Sequence, residues 1–376
     1  MKNKNFFLIT IIDDFFYAYQ TSILVFGTLF FYEFFNQNLL LTFLPIIATH
    51  ALYASLTYGI TKLIGKIGTR TSILIAIFFA ALTSIPIYLF QSNMDGTYII
   101  YWVILLVLAK SFFHTPIIYL YGKFSSHNDR SRQFALQRIS IITVSVLTPI
   151  AGGFISEEFN FIGLMLFSIG LVLMAILPLM MLRNYKFEMK FKVSEMISNK
   201  KIRKLNELLF FRIPSIAGNR VWIIFVFLYF STSFSDIGLL IAFTSLVSIF
   251  LAHILGKVMS QHSRKKSVKA LFSLDAFAWI LKIFTSPVFP IIFTDTFGKF
   301  TEQLKEQAAT VFSFDYMNDS ISEDFKDEII VNHEMFINFS FAFYYLTIVL
   351  LITYLGFQPT FLVIALIGFV YSVFRK

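Results

Sequence analysis

The sequence of 376 residues contains no cysteine and only 14% charged residues. Without cysteine, disulfide bonds, thiol catalysis and cysteine-ligated metal sites are excluded. The sequence has no glycine-rich phosphate loop and no nucleophile motif, so ATP-driven transport within this chain is unsupported and we name no catalytic residue. The six histidines show no metal-ligand spacing, and we interpret His50 as a hydrogen-bonded buried histidine rather than a proton carrier. We therefore expect neither an enzyme nor a bound cofactor or metal.

Apolar stretches of about twenty residues, the length that crosses a bilayer, follow one another along the whole chain. Hydrophobic residues make up 57% of the chain, and its charged fraction lies well below the roughly 25% of a soluble domain. The sequence therefore predicts an all-α membrane protein with twelve transmembrane helices. The predicted spans are 6–35, 39–60, 71–91, 97–121, 135–156, 160–182, 210–232, 236–258, 267–286, 289–314, 330–354 and 357–374.

Lysine and arginine fall mostly in every second connection between these spans. Because positive charge stays on the cytoplasmic side, we expect a protein of the cell membrane with both termini in the cytoplasm. The net charge of +9 indicates contact with anionic lipid headgroups and not with nucleic acid. The basic connections are Lys2/Lys4, 62–70, 123–138, 183–204, 264–269 and Arg375/Lys376.

The basic segment 183–209 divides the chain into an N-terminal half, 1–182, and a C-terminal half, 210–376, with six predicted spans each. A basic loop follows the second span in both halves, which predicts a duplicated six-helix bundle, a 6+6 pseudo-repeat. The segment between the halves is interpreted as a partly helical cytoplasmic linker. The candidate gating residues of the two loops are Lys66, Gly68 and Arg70 in the first and Gly256, Arg264 and Lys265 in the second.

This organisation resembles the major facilitator superfamily, whose members have two six-span bundles and the motif Gly-x-x-x-Asp-Arg-x-Gly-Arg-Arg after the second span of each half. Gly256, Arg264 and Lys265 match the second copy, in which Ser260 replaces the Asp. In the first copy Gly65 stands where the Asp is expected. The resemblance implies a transporter whose central cavity is lined by spans one, four, seven and ten.

The fifth span carries the segment Thr148-Pro149-Ile150-Ala151-Gly152-Gly153, which looks like the end of the antiporter motif Gly-Pro-x-x-Gly-Gly of that superfamily. This likeness favours export as the direction of transport. Pro149 removes a backbone donor and bends the helix, and Gly152 and Gly153 allow close helix contact. A kinked packing interface with no role in coupling therefore explains the same residues.

Four ionisable residues, Asp295, Lys299, Glu302 and Glu306, share one face of the tenth span. A charge in hydrocarbon costs at least about 2.5–3.5 kcal/mol, so this face must meet water, protein or another charge. We interpret Glu302, with Glu306 and Asp295, as the proton-coupling group. The alternatives are a structural ladder Asp295–Lys299–Glu302, or a segment 289–314 that lies on the cytoplasmic surface without spanning.

Other polar residues concentrate on the spans that the resemblance assigns to the cavity. Lys110, near the centre of the fourth span, needs a carboxylate or an anionic ligand or must have a lowered pKa, with a structural ion pair as the alternative. Asp13 and Asp14 are interpreted as a solvated edge of the first span, and Asp275 and Lys282 share one face of the ninth. The remaining candidate cavity residues are Tyr17, Gln20, His114, Asn219 and Arg220.

These residues predict a secondary active transporter of a small polar or charged solute that works by alternating access and is coupled to protons. Lys110 or Arg220 would hold an anionic or polar part of the solute. We expect a monomer whose partners are the solute, protons and membrane lipids. The competing interpretation is a non-transporting scaffold, sensor or lipid-modifying membrane protein, and access of solvent to the cavity from both sides distinguishes the two.

The charge asymmetry makes a prediction about topology. A reporter fused after Asp95 or Pro359 is expected to lie outside the cell, and one fused after Lys200 or Lys376 inside, because basic loops stay in the cytoplasm. Paired reporters that are active only outside or only inside the cell measure this directly. A cytoplasmic signal at Asp95 would contradict the twelve-span topology.

Overall fold

The computed structural model describes residues 2–125, 130–187, 200–259, 264–285, 288–320 and 326–374, which form helices and short connections. The thirteen helices of these residues are α1 (Lys2–Phe34), α2 (Leu39–Ile67), α3 (Thr69–Leu82), α4 (Ser84–Asn93), α5 (Thr97–Phe124), α6 (Arg130–Met174), α7 (Ile176–Met180), α8 (Lys200–Tyr229), α9 (Phe234–Met259), α10 (Arg264–Ile283), α11 (Val288–Ser320), α12 (Lys326–Leu355) and α13 (Phe357–Phe374).

The lengths and apolar composition of these helices are those of membrane spans. Within the described residues, eight helical stretches are long and apolar enough to cross a membrane, and a shorter apolar helix covers Phe357–Val373. The stretch Leu136–Met180 has 45 residues, about twice the length that one crossing needs. It contains the fifth and sixth predicted spans, which meet at Asn160 with a φ of 58°. The helices α10 and α11 are less apolar because they carry the charged residues of the ninth and tenth predicted spans.

Besides shifts of helix ends, three predicted spans differ from the helices in a notable way. The third is divided into α3 and α4 at Thr83, whose hydroxyl donates to the Ala80 carbonyl at 2.6 Å and competes with the helical hydrogen-bond pattern. The sixth is interrupted after α6, so that its end forms the short helix α7. The seventh begins at Lys200 instead of 210, so the end of the predicted linker 183–209 is helical.

The N-terminal and C-terminal halves contact each other mainly along two helix pairs, α2 with α12 and α6 with α9, with smaller contacts of α1 with α8 and of α5 with α12. In the second pair, a Cβ atom on Gly238 would lie 2.3 Å from the Pro149 carbonyl oxygen, and one on Gly153 would lie 2.7 Å from the Phe234 carbonyl oxygen. A Cβ atom on Gly152 would meet the Phe26 ring at 2.7 Å. The glycines therefore let the two backbones touch, as small residues do between membrane helices.

Glu157 joins the same two helices at the end of the molecule opposite the termini. Its Oε2 atom accepts hydrogen bonds from the Phe234 N–H at 2.8 Å and from the Ser233 hydroxyl at 3.2 Å. These groups lie at the start of α9, where free N–H groups and the positive end of the helix dipole favour a carboxylate. Hydrogen bonds therefore reinforce the backbone contact at this end.

The connection between α2 and α3 is bound to the segment that follows α7. Gly68 has a φ of 94°, and the Asn184 side-chain oxygen accepts the Arg70 N–H at 2.9 Å. A Cβ atom on Gly65 would lie only 2.5 Å from the Phe187 carbonyl oxygen. A side chain larger than hydrogen at this position would therefore collide with the Phe187 backbone.

The contact between α6 and α9 makes a prediction about stability. Gly238→Ala places a methyl group against the Pro149 backbone and is expected to lower the free energy of unfolding by roughly 1–3 kcal/mol. The matched control is Gly170→Ala on α6, where a Cβ atom has no heavy atom within 4 Å. Thermal unfolding in detergent measures both variants. Equal melting temperatures for the two would contradict the backbone contact.

Candidate functional site

Lys110 lies buried on α5 at the centre of the N-terminal half. Its ammonium is 5.5 Å from the centre of the Tyr53 ring on α2, and with the described residues it forms neither an ion pair nor a hydrogen bond. The Tyr53 hydroxyl donates to Glu334 Oε2 on α12 at 2.6 Å. Glu334 is within electrostatic range of Lys110 without binding it. A buried ammonium without a direct partner is costly and therefore suits an anionic ligand.

Arg220 on α8 reaches the same region from the C-terminal half. Its guanidinium carbon lies 5.6 Å from the centre of the Tyr345 ring, and its buried Nη1 atom has no hydrogen-bond partner among the described residues. Arg220 and Lys110 are within electrostatic range of each other and of His50. The His50 Nδ1 atom lies 2.7 Å from the Asn338 side-chain oxygen. Two cations from opposite halves thus converge near a hydrogen-bonded histidine.

The charged face of α11 begins with an ion pair. Asp295 binds Lys299 at 2.8 Å, and both contact the Thr244 hydroxyl of α9 at 2.6 Å. The Trp222 Nε1–H of α8 donates to Asp295 Oδ1 at 2.9 Å. Glu302, the next residue of the expected ladder, takes a different partner on α8. The structure therefore contains the Asp295–Lys299 pair of the expected ladder, whereas Glu302 does not pair with Lys299.

Glu302 binds an amide instead of a cation. The Asn219 side-chain N–H donates to Glu302 Oε2 at 2.6 Å, and the Asn219 oxygen accepts from the Lys282 ammonium at 2.7 Å. Lys282 is buried, with its ammonium 4.0 Å from the Trp279 ring and 4.6 Å from the Trp222 ring. The aromatic faces stabilise this cation. Of the described carboxylates on α11, Glu302 is the one without a direct cationic partner.

Glu306, which the sequence places beside Glu302 for proton coupling, forms an ion pair with Arg212 of α8. It does not line the cavity next to Glu302. Its negative charge is therefore compensated within the protein.

Lys305 is a buried charged residue that the sequence analysis missed. Its ammonium binds Asp275 at 2.8 Å and contacts the Ser215 hydroxyl. Asp275 therefore pairs with a residue of α11 and not with Lys282, with which it shares a face of α10. Lys305 lies ten positions after Asp295, which places it off the charged face of the helix. A search for charges at helical spacing along that face therefore does not find it. The available signal was Asp275, a carboxylate in a predicted span that needs a cation.

Two cavities lie beside these groups. The larger, about 130 Å³, is enclosed by α8, α9 and α11, and the smaller, about 10 Å³, lies between α1, α2 and α5. The charged and amide side chains of the larger cavity are Asn219, Arg220, Asp295, Lys299 and Glu302. The polar groups of the smaller cavity are on Gln20, Thr49, His50, Trp102 and Lys110.

The predicted residues of α1 and α5 fall into two groups. Gln20 contacts the His114 ring at 3.2 Å and lines the smaller cavity. Tyr17 is 37% exposed and lies within electrostatic range of Arg220 and Glu302. These residues therefore lie near the converging charges.

Asp13 and Asp14 belong to a separate cluster. Asp13 accepts hydrogen bonds from the Tyr121 hydroxyl at 2.9 Å and from the Gln137 side chain at 3.3 Å. Asp14 is buried and binds the Ser140 hydroxyl. The solvated edge expected for these two carboxylates is therefore wrong, because α6 covers them.

The candidate gating residues Gly256, Arg264 and Lys265 have side chains outside the described part of the chain, whereas Lys66 is exposed at the end of α2. Within the described ranges, no group of three or more histidine, aspartate or glutamate side chains is placed to hold a metal ion.

Comparison with known proteins gives a match in fold and none in sequence. No protein-family model and no curated protein matches the chain. It is similar to a solved POT family transporter in complex with 5-aminolevulinic acid, with a TM-score of 0.75 and 13% identity. It is also similar to a POT family transporter in complex with a thioalcohol-conjugated peptide, with a TM-score of 0.73 and 12% identity. Both matches cover 99% of this chain and 94% of the other chain. The protein is therefore an all-α membrane protein with the fold of POT family transporters, which are members of the major facilitator superfamily.

Proposed function

We propose that the protein is a proton-coupled secondary active transporter of a small solute that carries an anionic group. The proposed moving units are the bundles 1–182 and 210–376, connected by the linker 183–209. The proposed location is the cell membrane, with both termini in the cytoplasm, and the proposed working unit is a monomer. The shared fold supports membrane transport, and the converging cations support the class of solute.

The observation that carries this proposal is the placement of Lys110 and Arg220. The two cations come from opposite halves, and with the described residues neither forms a direct ion pair. Like charges close together in a low-dielectric interior repel each other. A solute carboxylate between them would relieve this repulsion and bind both halves at once, which favours closure around the solute.

The ligands of the similar transporters fit this chemistry. Those proteins hold 5-aminolevulinic acid and a thioalcohol-conjugated peptide. The carboxylate of an amino acid or peptide is the kind of group that Lys110 and Arg220 would bind. Glu334, held by the Tyr53 hydroxyl, is available for an ammonium at the other end of the solute.

Glu302 is the proposed proton carrier. Asp295, Asp275 and Glu306 each have a cationic partner, whereas Glu302 is held by the Asn219 amide. A buried carboxylate without a bound cation can take up and release a proton. Asn219 connects this carboxylate to Lys282 and borders the same cavity as Arg220. Protonation and solute binding would therefore act on neighbouring groups of α8.

Alternating access is supported by contacts at the end opposite the termini. Glu157 and the glycine contact between α6 and α9 hold the halves together there. Tyr17, on the terminal side of Gln20, is 37% exposed. These features fit a state closed to the outside and open toward the cytoplasm. Export remains a prediction from the segment 148–153, whose glycines the structure accounts for by packing.

Lys110→Ala tests the proposed solute site. The variant is expected to insert and fold, but to bind the solute at least about tenfold more weakly, equal to about 1.4 kcal/mol. The first probes are 5-aminolevulinic acid, free amino acids and dipeptides, measured by thermal shift and by equilibrium binding. Lys123→Ala, an exposed lysine on the same helix, is the control. A variant that is less stable but binds the solute as tightly as the wild type where it is folded would favour a structural role for Lys110, and a wild type that binds no member of the panel would contradict the solute class.

Glu302→Gln tests the proposed coupling. The amide keeps the shape of the side chain and fixes its neutral state, so net flux driven by a proton gradient is expected to be lost. Exchange of solute at equal concentrations on both sides is expected to continue. Transport into proteoliposomes measures both, with Glu158→Gln, an exposed carboxylate on α6, as the control. Loss of exchange as well, or net flux with the pH dependence of the wild type, would remove Glu302 from the coupling role.

A further inference from the structure

A groove of about 570 Å³ lies between α2 of the N-terminal half and α8 and α12 of the C-terminal half. Its apolar walls include Phe210, Phe336 and Phe339, and Ser55 of α2 lies on the opposite wall. Phe339 is 65% exposed and continues into a row of exposed apolar residues on α12. The members of this row are Phe339, Phe343, Leu346 and Leu350, spaced along one helix face. The groove is therefore bordered on the α12 side by exposed apolar side chains.

One end of the groove is polar and basic. Arg203, Asn206 and Asn332 line it there, and the two asparagines hydrogen-bond to each other at 2.7 Å and 3.4 Å. Arg203 is exposed and forms no ion pair with any residue that the structure describes. Four of the five residues 200–204, at the start of α8, are lysine or arginine. Basic groups between helices at the end of a membrane span are the pattern that holds lipid phosphates.

We propose that this groove is a binding site for one anionic phospholipid of the leaflet on the side of the termini. The phosphate lies on Arg203, and an acyl chain follows α8 and α12 past Phe210 and Phe339 toward Ser55. From Arg203 to Phe210 the helical rise is about 10 Å, which leads from the membrane surface into the hydrocarbon. Glu207 also lines the groove, so the anionic headgroup lies on the Arg203 side of it.

The site has a consequence for the arrangement of the halves. The walls of the groove belong to both halves, since α2 is in the N-terminal half and α8 and α12 are in the C-terminal half. A lipid held there contacts both and stabilises the arrangement in which the groove exists. This binding site is independent of the transported solute.

The test uses purified protein in a neutral detergent with dioleoyl-phosphatidylglycerol and dioleoyl-phosphatidylcholine as probes. Native mass spectrometry measures retained lipid, and a phosphatidylglycerol with a photoreactive acyl chain maps its position. The wild type is expected to prefer phosphatidylglycerol by at least about fivefold, the contribution of one arginine near the surface. Crosslinks are expected on the peptide that contains Met335 and Phe339.

Two variants separate this groove from other basic surfaces of the protein. Arg203→Gln is expected to lose the preference for phosphatidylglycerol, whereas Arg183→Gln, an exposed arginine after α7, is expected to keep it. Ser55→Trp fills the groove from α2 and is expected to remove the crosslinks at Met335 and Phe339. Equal binding of both lipids by the wild type, an unchanged preference in Arg203→Gln, or crosslinks that survive Ser55→Trp would overturn the proposal.

Discussion

An ionised side chain inside hydrocarbon needs an opposite charge or several hydrogen bonds, and this requirement determines how the C-terminal helices pack. Lys305 with Asp275 connects α11 to α10, and Lys299 with Asp295 lies against α9 through Thr244. Breaking a buried pair of this kind by removing one partner costs roughly 3–5 kcal/mol. The helices are therefore held at fixed positions by charge as well as by apolar packing. Against this paired background, Lys110, Arg220, Lys282 and Glu302 lack a bound counter-charge among the described residues.

Within-half and between-half contacts differ in chemistry. The ion pairs of the described residues lie within the C-terminal half, and the loop after α2 is bound to the start of the linker 183–209 through Asn184. Between the halves, the described contacts include glycine packing, the Glu157 hydrogen bonds, the contacts of Tyr53 and His50 with α12, and aromatic contacts such as Phe43 with Tyr345. The described ion pairs therefore do not cross from one half to the other.

The spans and their order could be predicted from the sequence because hydrocarbon imposes a minimum length and excludes charge, and both rules act on local sequence. The ion pair Asp295–Lys299 could also be predicted from the sequence, because its members are one helical turn apart. The bond between Tyr53 and Glu334 joins residues 281 positions apart, and helical periodicity carries no information about it. The same holds for Asp13 and Asp14. The helical rise predicts how deep they lie in the membrane, but it does not predict that α6 packs over them.

The chain has only three tryptophans, and all three are buried at the cavities or beside them. Trp102 borders the smaller cavity together with Lys110, and Trp222 borders the larger one while it donates to Asp295. Trp279 lies with Trp222 around the Lys282 ammonium. Indole emission depends on nearby charge and water, so the intrinsic fluorescence of the unmodified protein reports on both cavities. Changes of charge or water in the two cavities can therefore be followed by fluorescence, with no background from tryptophans elsewhere in the chain.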